Sequence, residues 1–493
     1  MTSQANEQAG AAQDDMSDPA LRRARVTAIV LAASMFMVGI DSTVLVTALP
    51  RMARDFGVAP TSLSTTITIY ILVSAALLPV SSWIGQRLGS RRVFTVAMLG
   101  FTLSSVGCGL AGSLPMFLLM RVCQAAFGTL MVPVGNIVLL TITPKRYLVT
   151  AMAISSTPAL LAPVIGPPLG GFITTYLDWP WVFFINLPIG AIGLVAAARF
   201  IPDIAATERT PFDWPGFGLT ASFLCALIAG LDRVSHKGEG REIGVLLLIA
   251  AAILGTFALR HARSARHPIV PLTPLRYQSF FISTIGAGTL TRIAFMGLGF
   301  TLPLMFQIGF GLSPFHSGLL LLAQNAGDVV LKSIAPRTLR HFGFRKVLVS
   351  GSLMIAASIL VCAMLTSRLP FPILFAIMFA VGMARSVHMT GMMALRFADM
   401  PHSEVGGATV LGNLVQSLTQ AFAISGVAAL LGLLSGGADV PTMAAFRITV
   451  LILACSAACA TPLFLRLSKD AGAEVTGRVQ RGLKEMREES EVV

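Results

Sequence analysis

Fourteen apolar stretches of about twenty residues, separated by short polar gaps, run the length of this 493-residue chain. They lie near residues 26–49, 64–85, 92–112, 115–138, 148–174, 181–201, 216–233, 243–260, 280–306, 314–335, 347–367, 370–394, 405–433 and 443–465. A helix rises about 1.5 Å per residue, so about twenty apolar residues cross the roughly 30 Å hydrocarbon core of a bilayer. Inside that core the chain itself has to satisfy every backbone N–H and C=O, which a helix does within one segment. The expected fold class is therefore an all-α membrane protein of about fourteen transmembrane helices. Composition agrees, because only 12% of residues are charged and 55% are apolar. A water-facing surface needs about twice that charge.

The formal net charge is +13. The cations occupy gaps between apolar runs rather than a polar domain of their own, which argues against a nucleic-acid partner. With the N-terminus in the cytoplasm, the inner segments hold 25 Lys and Arg and the outer loops 6. This is the bias that sets membrane topology, and it places both termini in the cytoplasm. Arg22, Arg23 and Arg25 precede a first run too long for a cleavable signal, so it reads as a retained anchor. Residues 1–24 are expected to be a disordered cytoplasmic segment and 468–493 a cytoplasmic tail. The six cysteines all fall within apolar runs without a CxxC pair, as small packing residues and not a disulfide framework.

An internal echo divides the chain. Arg87-Leu-Gly89-Ser-Arg91-Arg92-Val follows the second run, and His341-Phe-Gly343-Phe-Arg345-Lys346-Val follows the tenth. Each sets a turn glycine before paired cations on the same side. Duplicated halves are common in secondary transporters.

Longer motifs carry a resemblance. The first run closes with Gly39-Ile-Asp41-Ser-Thr-Val-Leu-Val-Thr-Ala-Leu-Pro50, and the second leads into Ser82-Trp-Ile-Gly-Gln86-Arg87-Leu-Gly89-Ser-Arg91-Arg92. Arg121-Val-Cys-Gln124 lies in the fourth run, and Gly166-Pro167-Pro168-Leu-Gly170-Gly171 in the fifth. Trp179-Pro-Trp181-Val-Phe-Phe-Ile-Asn186-Leu-Pro188-Ile-Gly190 and Pro211-Phe-Asp213-Trp-Pro-Gly216 follow. This ordered set resembles the major facilitator superfamily, and within it the fourteen-helix drug:proton antiporter family. Five positions depart from the pattern, among them Pro180, which stands for an arginine between Trp179 and Trp181. Ser82 stands for a glycine, Gln86 for an aspartate that forms a charged latch, and Ala125 and Phe127 for glycines after the Arg-x-x-Gln motif.

The resemblance implies a major facilitator fold of two six-helix bundles, 25–205 and 266–467, flanking an extra central helix pair at 206–265. It implies alternating access, with the bundles rocking about a central cavity, and export of hydrophobic or amphiphilic small molecules in exchange for protons. Residues 166–171 resemble the motif that marks exporters, and Gln86, Arg87, Gly89, Arg91 and Arg92 form the gating loop. The small-residue face Gly166-x-x-x-Gly170 suits close helix contact, either as a seal where the halves meet or as ordinary packing. Arg-rich, Ala- and Gly-rich usage fits a bacterial genome, so the expected location is the bacterial cytoplasmic (inner) membrane. A monomer suffices for this mechanism.

Ions within the runs single out a site. A charged side chain at the bilayer centre costs roughly 3 kcal/mol on insertion scales. Seven charged residues lie more than two positions inside the runs: Asp41, Arg121, Arg292, Asp328, Lys332, Arg385 and Arg447. Arg447 and Lys332 lie near helix ends, where they can snorkel. Asp41 and Arg121 each lie about 10 Å below the outer boundary at the helical rise, so they can meet. A guanidinium favours the ionised carboxylate and burial opposes it. Such a balance suits proton loading and release; the alternative is a permanent ion pair that fixes packing. Asp328 and Lys332 share a face at i, i+4, either as an ion pair within one helix or with Asp328 freed for coupling or substrate contact. The proton-coupling candidates are Asp41, Arg121 and Asp328.

Gln124, Arg292, Gln307, Arg385, His388, Asn413 and Gln416 are the candidate substrate-cavity residues. Five intramembrane cations against two acids favour an anionic or weakly acidic amphiphile, or a lipid with an anionic head, unless the cations snorkel or bind carbonyls. Neither metal-ligand spacing nor a phosphate-binding loop occurs, so no metal or other cofactor is expected and an ion gradient is the expected drive. The expected partners are a small-molecule substrate, protons and membrane lipid. No catalytic constellation stands out, so the chain is not expected to be an enzyme. A uniporter, or an exporter of one metabolite or lipid on the same scaffold, is the alternative.

Overall fold

A computed structural model of the protein describes residues 19–143, 148–201, 212–235, 241–266, 268–332, 334–401, 404–435, 440–468 and 471–472. The expected N-terminal segment and C-terminal tail lie largely outside these residues, as do His236, His267 and His402.

Each apolar run forms a helix. In chain order the first six are α1 Pro19–Phe56, α2 Ser64–Leu88, α3 Ser90–Gly109, α4 Leu114–Ile142, α5 Leu148–Tyr176 and α6 Trp181–Phe200. Then come α7 Trp214–Ser235, α8 Arg241–Ser264, α9 Gln278–Gly309 and α10 Pro314–Lys332. A short α11, Ala335–Phe342, precedes α12 Phe344–Ala363, α13 Phe371–Ala398, α14 Val405–Leu434 and α15 Met443–Phe464. Eleven of these are long and apolar enough to cross a membrane, and α2, α5 and α10 complete the fourteen. The described residues contain no strand.

Helix ends follow local chemistry. The α1 helix runs past Pro50, the expected end, so Arg51 and Arg54 belong to its last turns and not to a loop. Gly57 stops it at φ 64°, while the Val58 N–H reaches the Ala53 carbonyl at 2.9 Å. That pairing around a left-handed glycine closes many helices. The sequence echo has a structural counterpart, since Gly89 and Gly343 take φ 88° and 78° immediately before α3 and α12. A side chain at either position would strain the turn.

The chain divides into two compact units, Met1–Ala48 with Ala76–Phe212 and Leu49–Ala75 with Asp213–Val493. In the first, Met37, Phe94, Phe101, Met131 and Val134 pack α1, α3 and α4 together. Phe127, which stands where the family pattern has a glycine, lies over Gly100: a Cβ there would sit 2.5 Å from its ring. The missing glycine of one helix is thus supplied by its neighbour. In the second unit, Phe344, Leu348, Met392, Leu395, Ala460 and Phe464 join α12, α13 and α15.

The extra pair α7–α8 packs mainly on itself, and α7 also meets α14. Only 11% of the apolar window of α8 is buried within the protein. Hydrocarbon has to cover the rest, since an apolar helix face needs an apolar solvent. Asp213 pins the pair. Its carboxylate accepts the Gly216 N–H at 3.0 Å and lies 2.7 Å from His261 Nε2 at the end of α8; it also accepts the Ile269 N–H at 3.2 Å. Partial burial pushes its pKa up, but these hydrogen bonds outweigh burial and hold it below the usual carboxylate value.

Candidate functional site

The α1 and α4 helices bring Asp41 and Arg121 together. Arg121 Nη1 donates to Asp41 Oδ2 at 2.6 Å, and neither side chain is more than 2% exposed. Their common depth, read from helical rise, is the geometry that allows this contact. Gln124, one turn beyond Arg121, donates to Asp41 Oδ1 at 2.8 Å and accepts from Arg121 Nη1 at 2.6 Å. Asn186 at the start of α6 donates to Asp41 Oδ1 at 3.4 Å and to Ser105 Oγ at 2.9 Å. Gln124 also donates to Ser105, at 2.5 Å. The carboxylate on α1 is therefore held by one charged and two neutral donors from α4 and α6. Four side chains converge on or beside it in a pocket closed to solvent. A charge without partners would be prohibitively costly there.

Ser105 and Asn186 had no site role in the sequence reading. Asn186 carried a signal through its place in the Asn-x-Pro-x-Gly signature. Ser105 carried none, because one serine in an apolar helix resembles many others.

Residues around Asp41 are seated on α5. A Cβ on Gly166 would lie 2.0 Å from Thr43 Oγ1, and one on Gly170 would lie 2.5 Å from the Val44 carbonyl. The Gly39 position meets Ala162 Cβ at 2.7 Å, and Thr43 Oγ1 donates to the Ala162 carbonyl at 3.3 Å. Small residues let two backbones touch. The small-residue face of the exporter-like motif thus meets α1 beside the acid, within the first unit. Pro167 and Gly171 belong to the same buried stretch of α5.

Around the loop between α2 and α3, Arg91 Nη2 donates to the Ala198 carbonyl, and the Arg87 guanidinium lies 5.0 Å from the Trp83 ring centroid. Arg92 is exposed. Gln86 belongs to α2, but its side chain lies outside the described residues.

The second unit holds the other acid. Asp328 Oδ2 accepts from Arg385 Nη2 at 3.0 Å and pairs with Lys332 Nζ at 3.6 Å. The i, i+4 pair expected within α10 is present, and a second cation from α13 joins it. Arg385 also donates to Asn325 Oδ1 at 3.3 Å, and its guanidinium lies 3.8 Å from the Phe295 ring centroid, a cation–π distance. Ser386 Oγ donates to the Asp328 carbonyl at 2.5 Å. Two glycines permit this crossing. A Cβ on Gly327 would fall 2.1 Å from the Phe379 carbonyl oxygen, and one on Gly382 would fall 1.8 Å from that of Gln324.

Arg292 is buried where α9 breaks at Ile285–Gly286. Its Nη2 and Nη1 donate to the Ser283 and Thr284 carbonyls, each at 3.1 Å. These oxygens end the first segment of the broken helix, so the cation caps it. The expected twelfth run ends at 394, but α13 continues to Ala398 and buries Arg396 in its last turns, against Gly412 of α14. The helix continues past the expected boundary because no breaker precedes Asp399. Arg396 Nε and Nη2 have no hydrogen-bond partner among the described residues.

His388 is buried three residues after Arg385. Gln307 lies in a single π-helical turn, Met305–Gly309, that ends α9. Asn413 and Gln416 share a half-buried face of α14. Arg447 is exposed near the start of α15, as snorkelling requires. The candidates therefore fall into two clusters, one in each unit: Asp41–Arg121–Gln124 and Asp328–Lys332–Arg385. Among the described residues Asn413 joins neither cluster.

Comparison with known proteins places this architecture. The sequence pattern of the Major Facilitator Superfamily matches residues 31–424. A protein of Yersinia enterocolitica named "Putative multidrug resistance protein MdtD" is 32% identical over 454 residues, covering 90% of this chain and 95% of that protein. Its Escherichia coli namesake (strain SMS-3-5) is 32% identical over 408 residues, covering 82% of this chain and 85% of its own length. Among solved structures, a peptide transporter crystallised with sulfate shares the fold at TM-score 0.67 and 12% identity, covering 93% of this chain and 95% of that one. A D-xylose–proton symporter does so at TM-score 0.62 and 13% identity, over 91% and 98%. The superfamily is one of transporters and not of enzymes. With fourteen apolar helices and a family match across most of its length, this chain is a multi-pass membrane protein that belongs to the Major Facilitator Superfamily.

Proposed function

We propose that this protein is a proton-coupled exporter of hydrophobic or amphiphilic small molecules, working by alternating access. The observation that carries the reading is Asp41, wholly buried and bonded to Arg121, Gln124 and Asn186, with α5 packed backbone-to-backbone beside it. A buried acid with a cationic partner can exchange its proton when access changes, because water or substrate then competes for the guanidinium. Arg121 is the group that sets the balance, and Gln124 and Asn186 orient the carboxylate. Asp328 in the second unit, shared between Arg385 and Lys332, is the second coupling candidate. The relatives named for multidrug resistance support an exporter rather than an importer.

The substrate class we propose is an anionic or weakly acidic amphiphile. Arg292, Arg385 and Arg396 are cations on buried faces of the second unit, and Arg396 keeps two N–H groups without a protein partner among the described residues. Gln307, Asn413 and Gln416 would contribute polar contacts, whereas His388 lines a separate groove of α10–α13. Two six-helix bundles, 25–205 and 266–467, would rock about the pathway, with 206–265 as a lipid-facing pair. The charge bias supports a bacterial inner-membrane protein with both termini in the cytoplasm.

A specific observation favours a second reading, uniport or export of one metabolite. Asp41 has a partner on each oxygen, as a permanent structural pair would. Everted membrane vesicles separate the two. Once the vesicle lumen has been acidified, an exchanged amphiphile should dissipate the pH gradient, read as recovery of a quenched pH-sensitive dye. Matched anionic and cationic amphiphiles test the class: recovery with cations alone would reject the anionic assignment, and recovery with neither would favour uniport.

A further inference from the structure

We infer that the second unit carries a site for an anionic phospholipid in a groove formed by α10, α11, α12 and α13. The inference is independent of the proton-coupling assignment. The groove is a cavity of about 690 Å³. Along α12, Lys346, Val347, Ser350, Gly351 and Met354 face it in succession. These positions recur at helical spacing, so they form one stripe. From Lys346 to Met354 the stripe runs about 12 Å at the helical rise. One end is a cation and the other is apolar, the polarity of a phospholipid headgroup and acyl chain.

The cationic end is reinforced by α11. In this eight-residue helix Ala335 and Leu339 are buried, while Arg337, Arg340, His341 and Phe342 are exposed. A helix with cations on one face and apolar side chains on the other lies in a membrane interface. Phe342 and Thr338 line the groove beside Lys346. Neither Arg337 nor Lys346 takes part in an ion pair among the described residues, whereas Lys332, one turn before α11, is engaged by Asp328. Basic residues beside a spanning helix attract anionic headgroups, by about 1 kcal/mol for each Lys or Arg near the surface.

A third observation points to a ligand within the groove. His388 lines it and is 1% exposed, and with the Leu348 backbone beside the ring neither nitrogen makes a well-aligned hydrogen bond among the described residues. The ring is fixed edge-on to Phe464 at 5.2 Å and crowds Gly351, whose position admits no side chain: a Cβ there would lie 2.7 Å from Nδ1. An immobilised imidazole facing an apolar groove with only a poorly aligned backbone neighbour gains from a further group that accepts its N–H. Gly351 lies about 7 Å along α12 from Lys346. That separation suits a phosphate at Lys346 and the ester carbonyl of the same lipid at His388.

The test uses the full-length protein in detergent, with phosphatidylglycerol and phosphatidylcholine of identical chains as probes and native mass spectrometry as the readout. Wild type should retain phosphatidylglycerol preferentially. Lys346→Gln should reduce that preference about five-fold, consistent with the loss of one interfacial cation. Met354→Trp, which fills the apolar end, should reduce retention of both lipids. Arg368→Gln, an exposed cation on the opposite side, should change neither. Equal retention of the two lipids by wild type would overturn the site. So would an undiminished preference in Lys346→Gln, or an equal fall in Arg368→Gln, which would report only general surface charge. Lys346 is exposed, so its variant keeps the test decisive even if Met354→Trp fails to fold.

Discussion

Asp41 in the first unit and Asp328 in the second are both acids inside apolar helices, yet they are held differently. Asp41 has one cation and two amides around it and no exposure. Asp328 has two cations, one of them a lysine whose side chain is 41% exposed, and its own Oδ1 has no hydrogen-bond partner among the described residues. The first cluster is electrically balanced and both oxygens of its acid are engaged, while the second carries an excess positive charge and an acid oxygen without a hydrogen-bond partner among the described residues. A balanced, sealed pair suits a proton switch that must not leak. An unbalanced, partly open one suits contact with an anion.

If that contrast is right, the two clusters should respond unequally to loss of a cation. The largest effect is expected for Arg121→Ala, which leaves the Asp41 charge buried with amide partners only. Breaking a buried pair from one side costs about 3–5 kcal/mol. A large drop in thermal stability in detergent should follow, and Asp41→Asn in the same chain should restore part of it. An unchanged melting temperature would mean that water reaches Asp41.

Next are the glycines that build the crossings. Gly327→Ala places a methyl 2.1 Å from the Phe379 carbonyl oxygen in the second unit, and Gly170→Ala places one 2.5 Å from that of Val44 in the first. Overpacking costs about 1–3 kcal/mol. Both variants should be destabilised, with Gly327→Ala affected more because its clash is closer. Lys332→Ala should cost only about 0.2–1 kcal/mol, since an exposed pair is screened and Arg385 keeps Asp328 paired. A cost equal to that of Arg121→Ala would erase the contrast between the clusters.

The smallest effect concerns Asp213. Its pKa is held below the usual carboxylate value, so its contribution is fully present above that ordinary value and is lost as pH falls through the lowered one. Acidification from pH 5 to pH 3 should loosen the start of α7, read as a smaller protection of the Phe217 amide relative to its intrinsic exchange rate at each pH; that N–H bonds the Asp213 carbonyl. Asp213→Asn should remove the pH dependence.

Much of the fold was legible because hydrocarbon imposes a simple length rule, and each apolar window became a helix. The meeting of Asp41 and Arg121 was legible because depth follows from counting residues at a fixed rise. The echo at Gly89 and Gly343 was legible because a left-handed turn demands glycine. Ser105 was not, since nothing local marks a serine that accepts two amides from other helices. Arg396 was misplaced because hydropathy ends a helix at a charge, whereas α13 continues and buries it. Arg385 as a partner of Asp328 depends on the Gly327–Gly382 crossing, a tertiary contact that no pattern within one helix discloses.

The most direct measurement is proton movement in proteoliposomes with an imposed pH gradient and a transported amphiphile as probe. Wild type should move protons against the amphiphile in fixed ratio. Asp41→Asn should abolish both gradient-driven accumulation and proton flux while still allowing the amphiphile to equilibrate. Asp41→Asn that still accumulates the amphiphile and moves protons like wild type would contradict Asp41 as the coupling acid.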